Sequence, residues 1–394
     1  NSTTIVFNGG DVTSTLGFTG ILTGTSFTST NTILDASEIR AVLAGTGASL
    51  TLTGAGTTAL YGINTYTGGT AVAGGTVTIG NAAGLGTGAL TTTGGTVNFN
   101  TGLTTFTQNS LAGTGGTFNL QTIAATPVAI ALTVGGDNST SIYGGILGGA
   151  GSLIKSGSGT LQLSGANTYV GTTSINAGVL NIANAGALGT VAGATTVSSG
   201  AALEIQGGIT TLAEPLTLGG GGINNSGALR NVSGANTFAG PLTLTGATRI
   251  NSEAGTLTLS STLGGAFTTV FGGDGNIVVS GVIGTGGGSV NKADGLGNVT
   301  LSGANAFTGQ LRINAGTIGF TQGAHLGAGS VLVDGGTLAY IGTGTQAVPV
   351  GITASQAVAF GTSGVTLNVA NRFASLNLSG AVGATSSANL TKTG

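Results

Sequence analysis

The chain contains no cysteine, methionine or tryptophan among its 394 residues, and only 4 prolines. The lack of cysteine excludes disulfide bonds and thiolate metal sites. Charged residues make up 5% of the sequence, with 8 basic and 10 acidic side chains. Charges so few and so scattered provide neither a basic surface for nucleic acid nor a polybasic anchor for an anionic membrane. We therefore expect no nucleic-acid partner.

Long apolar runs and helical stretches are also missing. The most apolar stretches, such as residues 128–134, are far shorter than the roughly 20 residues that span a bilayer as a helix, so no transmembrane segment is predicted. Glycine accounts for 80 residues, and each glycine inside a helix costs about 0.8–1 kcal/mol relative to alanine. Collagen is excluded because the glycines keep no three-residue period. A hydrophobic content of 40% favours a folded chain over a disordered one.

A motif of glycine, asparagine, an aromatic residue and glycine occurs four times, at residues 62–68, 165–171, 234–240 and 303–309. Its asparagines are Asn64, Asn167, Asn236 and Asn305, and its aromatics are Tyr66, Tyr169, Phe238 and Phe307. Asparagine tolerates left-handed backbone and bonds to nearby backbone groups, so these asparagines are predicted to form turns. Tyrosine and phenylalanine replace one another, which predicts packing in a core or groove, with a dispensable hydroxyl.

A shorter phrase, Gly-Thr-apolar-x-apolar, returns at residues 75–79, 95–99 and 116–120, and again at residues 316–320 and 336–340. Its alternation of apolar and polar residues is typical of a strand with one buried face. Steps as short as these leave no room for helical crossovers between parallel strands. The sequence therefore predicts an all-β fold, a single parallel β-helix of roughly 18–19 coils with about 20–23 residues per coil.

The predicted domain organisation is one continuous β-solenoid over residues 1–394. Residues 1–50 are weakly repetitive, and residues 51–394 form a repeat region that stops within a repeat. An antiparallel sandwich is the main alternative because short strands separated by glycine also suit it. It explains the regular intervals less well, since sandwich strands differ in environment whereas solenoid coils share one.

The repeat resembles the passenger-associated repeat of autotransporter passenger domains. The best copy spans residues 153–182 and contains Ser-Gly-Ala-Asn-Thr-Tyr followed by Ala-Gly-Val-Leu-Asn-Ile. A second copy spans residues 290–320, and partial copies lie near Tyr61 and Ser233. The resemblance implies a right-handed parallel β-helix that is secreted by a bacterium and then displayed at its surface or released. It implies no catalytic chemistry.

The last residues look like the start of a further copy of the repeat. In the complete copies, Lys155 precedes Asn167 and Lys292 precedes Asn305, and Lys392 is the corresponding lysine at the end of the sequence. An interrupted coil leaves strand edges to be covered, and residues 1–7 are β-prone and lie outside any recognisable repeat. We therefore expect a head-to-tail junction by strand addition between neighbouring copies. The junction residues predicted on this basis are Ile5, Phe7, Leu390 and Lys392.

Catalytic and metal-binding patterns find little support. The single histidine, His325, is predicted to be an exposed turn residue, and no nucleophile motif accompanies it. Glu253, Asp274 and Asp294 follow at intervals near one coil, so a polysaccharide-acting enzyme with paired carboxylates is a minor alternative. No phosphate-loop or tandem calcium-binding phrase occurs. We therefore expect no enzyme activity, cofactor or metal.

The favoured function is a secreted structural β-solenoid that self-associates into an extracellular fibre, sheath or surface layer. A monomeric autotransporter passenger acting as a surface adhesin is the alternative. The expected partner is the protein itself, with cell-surface or matrix glycans as further candidates, and the expected location is extracellular or at the cell surface.

Overall fold

The structure is a computed structural model that describes residues 4–7, 21–23, 26–29, 37–342, 350–354, 356–363, 365–369, 374–384 and 390–393. The chain divides into two compact units, residues 1–195 and 196–394. In both units, short strands pair in parallel with strands about one repeat later, as in a β-solenoid. Each turn contains roughly 21 residues.

Strands of the first unit form three parallel stacks, which we call stacks 1, 2 and 3. Stack 1 contains Thr4–Phe7, Ser26–Ser29, Ser49–Leu52, Thr70–Val72, Leu90–Thr92, Leu111–Gly113, Ser141–Tyr143, Thr160–Leu163 and Val179–Ile182. Stack 2 contains Ser37–Ile39, Thr57–Leu60, Thr76–Ile79, Thr96–Phe99, Thr117–Thr122 and Ile146–Gly148. Stack 3 consists of two separately paired groups, Ile21–Thr23 with Val42–Ala44, and Thr105–Gln108 with Ala131–Val134, Ser152–Lys155 and Thr173–Ile175. The strand Thr195–Val197 contains the boundary between the units.

The second unit has the same three kinds of stack. Stack 1 contains Ala202–Ile205, Leu229–Asn231, Thr269–Gly272, Val290–Lys292, Leu311–Ile313, Val331–Val333, Val358–Phe360 and Val382–Ala384. Stack 2 contains Ala235–Phe238, Thr256–Leu259, Asn276–Val279, Asn298–Leu301, Thr317–Phe320, Thr337–Tyr340, Val365–Val369 and Leu390–Thr393. Stack 3 contains Leu216–Gly220, Leu263–Gly264 and Ile283–Gly284, and a separate pair is formed by Val350–Ala354 and Ala374–Leu378. The long strand Leu242–Ser252 belongs to stacks 3 and 1, and two 3-10 turns lie at Ile223–Asn225 and Gly323–Leu326.

The predicted strand phrases become strands with the predicted register. Thr96 pairs with Thr76 on one side and with Thr117 on the other, which matches the spacing of the phrases along the sequence. Apolar residues of successive phrases consequently stack inside the coil, as Val77, Val97 and Phe118 do at 1% exposure or less. The expectation of an all-β parallel solenoid is confirmed.

Glycine is abundant because neighbouring coils bring backbone against backbone. At Gly165 an added Cβ would collide with the carbonyl oxygen of Gly145, and at Gly171 with that of Gly151. Both are motif glycines, and the carbonyls belong to the preceding coil. The motif glycines therefore provide the space into which the next turn of the backbone packs.

The prediction of one continuous solenoid over residues 1–394 concerns how the two units join, and it stays a prediction. The backbone of Thr4–Phe7 pairs with Ser26–Ser29, and that of Leu390–Thr393 pairs with Val365–Val369. The side chains of Ile5, Phe7, Leu390 and Lys392 lie outside the described residues. The predicted junction between copies therefore stays a prediction as well.

Candidate binding cleft and the repeat motif

Three of the four motif asparagines bridge consecutive coils. Asn167 Oδ1 accepts the Leu147 N–H at 2.9 Å from the coil before, and its Nδ2 donates to the Ala187 carbonyl at 2.6 Å in the coil after. Asn64 and Asn305 make the equivalent pair of bonds. All three side chains are buried, so each amide links three successive turns through the interior.

The prediction that the motif asparagines adopt left-handed backbone in turns is wrong. The residues other than glycine with positive φ in the described chain are Asn138, Asn224 and Asn225, so no motif asparagine is left-handed. Asn236 is not a turn residue at all, because it lies in the strand Ala235–Phe238. Its Oδ1 accepts the Ile209 N–H at 2.7 Å from the preceding coil, but its Nδ2 donates within its own coil, to Asn231 Oδ1 at 2.6 Å and to the Ser233 carbonyl at 2.7 Å. Sequence spacing alone could not distinguish a bond to a distant coil from a bond within the turn.

The four motif aromatics are fully buried, which confirms the expected packing role. The tyrosine hydroxyls are nevertheless used, because Tyr66 and Tyr169 each bond, at 2.5 Å, to the threonine four residues later, Thr70 and Thr173. Where the aromatic is phenylalanine, the residue at this position is leucine, Leu242 or Leu311. The hydroxyl is therefore dispensable only together with its threonine partner.

The pairing of Tyr169 with Thr173 predicts a non-additive mutant cycle. Y169F removes the hydrogen-bond partner of the buried Thr173 hydroxyl, and we expect it to lower the free energy of unfolding by about 0.5–1.5 kcal/mol. Adding T173V should cost less in the Y169F background than in the wild-type chain, because the hydroxyl is already unpaired. Equilibrium unfolding of the four proteins measures the coupling, and strictly additive losses would contradict it.

Lys155 and Lys292 end strands at inward positions and are each 1% exposed. Lys155 pairs in register with Val134 and Ile175, so an apolar side chain occupies this position in the adjacent coils. Its Nζ donates to the carbonyls of Ser156 at 2.6 Å and Gly157 at 2.9 Å. Burial lowers the pKa of Lys155 to about 8 and also lowers the pKa of Lys292. These ammonium groups hold a turn closed, at a cost in desolvation.

The lowered lysine pKa predicts that stability rises with pH. Between pH 8 and 9.5 the folded chain loses the Lys155 proton, while the unfolded chain, with a lysine pKa of about 10.4, keeps it. The unfolded state then binds more protons, so the free energy of unfolding increases with pH. Above pH 10 the buried Tyr66 and Tyr143, whose pKa burial raises, oppose this trend. Denaturation across this range should show the rise, and K155M should flatten it; an equal slope in K155M would contradict the assignment.

His325 lies in the 3-10 turn Gly323–Leu326 but is buried, at 6% exposure, so the expectation of an exposed residue is wrong. Its carbonyl accepts the Asn305 amide at 2.6 Å. This hydrogen bond holds the turn next to Asn305 in the preceding coil. Burial lowers the pKa of the imidazole. His325 therefore has a structural position in the coil.

Glu253, Asp274 and Asp294 have separate structural partners. Glu253 pairs with Arg230, Asp274 accepts the Leu296 N–H at 2.9 Å, and Asp294 pairs with Arg249 at 2.5 Å. No group of three or more histidine, cysteine, aspartate or glutamate side chains suited to a metal ion occurs in the described ranges. The three acids fix local loops and ion pairs in the second unit.

Charge is concentrated in that unit, because 10 of the 18 charged residues lie between positions 204 and 334. Arg230 pairs with Glu204 at 2.5 Å and with Glu253, so one guanidinium joins three coils. Arg312 pairs with Asp334 at 3.1 Å. Gly272 lies beneath the contact between Arg249 and Asp294, where an added Cβ would meet both side chains. Because Gly272 has no side chain, this ion pair can cross the intervening coil.

A cleft forms beside this ion pair, in a coil that is longer than the one between Thr76 and Thr96. Leu216 pairs with Leu242, a wider separation along the chain than that of Thr76 and Thr96, and the register shifts after Leu218. The additional residues contain the 3-10 turn Ile223–Asn225, in which Asn224 and Asn225 adopt φ of 50° and 59°. The resulting cleft has a volume of about 320 Å³ and is lined by Gly221, Asn225, Ala247, Thr248, Arg249, Val270, Ala293 and Asp294.

Sequence reasoning missed this cleft. One signal was available, the four consecutive glycines at positions 219–222. A second cleft of about 200 Å³ in the first unit is lined by Ser49, Leu50, Thr51, Gly68, Gly69, Thr70, Ala71, Ala89 and Thr91. It has no charged lining residue, so the cleft at Arg249 is the stronger candidate for recognition.

Comparison with known families decides the kind of protein. The family model described as "Passenger-associated-transport-repeat" matches residues 50–79, 153–182 and 293–318, the segments that contain Asn64, Asn167 and Asn305. The chain contains passenger-associated transport repeats, and its β-solenoid supports a likeness to autotransporter passenger β-helices. The match at residues 153–182 has the bounds expected from the sequence, whereas the partial copy near Ser233 is not matched.

The chain is similar to the protein named "Adhesin BmaC autotransporter" from Brucella suis biovar 1 (strain 1330). It is 32% identical over 240 residues, which cover 57% of this chain and 7% of that protein. The chain therefore corresponds to a small part of that much longer relative. No solved structure matches it significantly.

The repeat family and the relative are of a structural or adhesive kind and not an enzymatic one. The relative also implies a surface-exposed or secreted passenger domain. Within the described residues, no helix has the length and hydrophobicity required to cross a membrane.

Proposed function

We propose that this passenger β-helix acts as an adhesin at the bacterial surface. The observation that carries the proposal is the similarity over 57% of the chain to a protein named as an autotransporter adhesin. The repeated coil supplies a scaffold in which each turn is fixed by its neighbours. The cleft at Arg249 supplies a local departure from the repeat where recognition can occur.

Adhesion can be tested with beads that carry the full chain. We expect coated beads to attach to cultured epithelial cells or to matrix-coated surfaces at several times the level of beads coated at equal density with an unrelated β-rich protein. Soluble chain added in excess should compete for attachment. Attachment equal to that of the control beads on every surface would contradict the adhesin proposal.

A fibre, sheath or surface layer formed by self-association is the second proposal. It is supported by the parallel stacking of the strands, because the edge of a parallel strand stack can accept a strand from another copy. Deleting residues 1–7 should abolish fibres seen by electron microscopy while leaving the β-rich circular dichroism intact. Fibres of normal appearance after the deletion would contradict this junction.

A further inference from the structure

The cleft beside Arg249 offers a free hydrogen-bond donor. Arg249 Nη2 donates to Asp294 Oδ1 at 2.5 Å and to Asn251 Oδ1 at 3.1 Å. Nε is enclosed without a partner in the described structure. Nη1 makes no hydrogen bond to described residues and is not enclosed, although the residue as a whole is only 9% exposed. The guanidinium is thus held in place through Nη2, with Nη1 left for a ligand in the cleft.

Asp294 supplies a free acceptor next to this donor. Its Oδ1 accepts from Arg249 and, at 3.3 Å, from the Gly273 N–H. Its Oδ2 accepts no hydrogen bond from the described chain, and the side chain is 54% exposed. The hydrogen bond from Arg249 keeps the pKa of Asp294 below its usual range, so this oxygen stays an ionised acceptor at neutral pH.

From this arrangement we propose that the cleft binds a neutral sugar unit through two adjacent hydroxyls. The inference rests on the proposed adhesin function and names the ligand class of that adhesin. One hydroxyl accepts from Arg249 Nη1, and its neighbour donates to Asp294 Oδ2. A hydroxyl both donates and accepts, so two adjacent hydroxyls can form hydrogen bonds to Arg249 Nη1 and Asp294 Oδ2 together.

Charge and wall chemistry select this ligand over the alternatives. The opposite charges of Arg249 and Asp294 cancel, and a carboxylate on the ligand would be repelled by Asp294. The walls consist mainly of small residues such as Gly221, Ala247 and Ala293. They lack the large apolar or aromatic surface that anchors peptides and lipids. A volume of about 320 Å³ is at the small end of ligand pockets, which suits a short stretch of a glycan.

The experiment measures binding of the full chain to immobilised dextran and mannan, which are neutral, and to polygalacturonate, which is acidic. We expect binding to at least one neutral polysaccharide and at least a tenfold weaker affinity in R249Q. The A247W variant fills the cleft from an exposed lining position without removing the ion pair, and it should lose binding to the same extent. T243W, an exposed position earlier on the same strand, and R312Q, an ion pair elsewhere in the unit, are matched controls that should bind normally.

Thermal unfolding of R249Q and A247W tests whether both variants remain folded. Preferential binding to polygalacturonate, absence of binding to both neutral polysaccharides, or wild-type affinity in A247W would each overturn the inference. Beads coated with A247W separate the two proposals. Unchanged attachment to cells would refute the cleft as the adhesive site while leaving the adhesin proposal intact. The opposite result is also possible: the chain binds neutral glycan, R249Q abolishes that binding, and the chain attaches to no cell or matrix. This result would support the sugar-binding cleft and refute the adhesin proposal.

Discussion

Replacing Asn167 by alanine should lower the free energy of unfolding by about 2–6 kcal/mol, because each unsatisfied buried polar group costs about 1–3 kcal/mol. The substitution leaves two such groups, the buried Leu147 N–H and the Ala187 carbonyl, without partners. Chemical denaturation followed by circular dichroism measures the loss. Hydrogen exchange provides a local readout, because the Leu147 amide should exchange much faster in N167A than in the wild-type chain.

The matched control is N184A. Asn184 Oδ1 accepts the Gly186 N–H at 2.9 Å within its own turn, and both residues are partly exposed, so a loss of about 0.5–1.5 kcal/mol is expected. Equal destabilisation by N167A and N184A, or unchanged exchange at Leu147, would show that the bridge between coils does not stabilise the fold.

The second large effect is expected for F118A, with a loss of about 3–5 kcal/mol. Phe118 is fully buried, and its ring centroid lies 5.5 Å from that of Phe99 and 6.2 Å from that of Phe106. Removing the ring takes away its burial and leaves a cavity that the rigid stack of strands cannot close. Denaturation by guanidinium measures the change.

F267A is the control for this prediction. Phe267 is 42% exposed, so the same truncation should cost at most about 1 kcal/mol. A loss in F118A no larger than that in F267A would mean that the interior of the coil is loosely packed at the aromatic cluster.

The strands could be predicted because each coil repeats one phrase in one environment. The residues of Thr76–Ile79 and Thr96–Phe99 alternate between interior and surface, and the step between the two phrases is the interval of the observed pairing. The roles of the motif asparagines could not be read in this way, because their hydrogen bonds reach residues 20 to 22 positions away.

Equal spacing also proved a poor guide to equivalent position. Asn236 and Asn305 follow their preceding copies at the same interval, yet Asn236 lies within a strand and Asn305 lies between strands. Coil length is not constant, since Leu216 and Leu242 are paired across a longer stretch of chain than Thr70 and Leu90. A constant interval along the chain therefore does not return to the same face of the coil.

The parallel solenoid, its repeat length, its buried apolar columns and its likeness to autotransporter passengers could all be obtained from the residues alone. These properties depend on local alternation and on a period that the residues record directly. The folded chain was needed to show which buried amides join successive coils, that His325 is enclosed, and that the long coil before Leu242 opens a cleft beside Arg249 and Asp294. Those features depend on contacts between residues 20 to 45 positions apart, and the physical reason is that winding of the coil, not neighbourhood in the chain, brings such groups together.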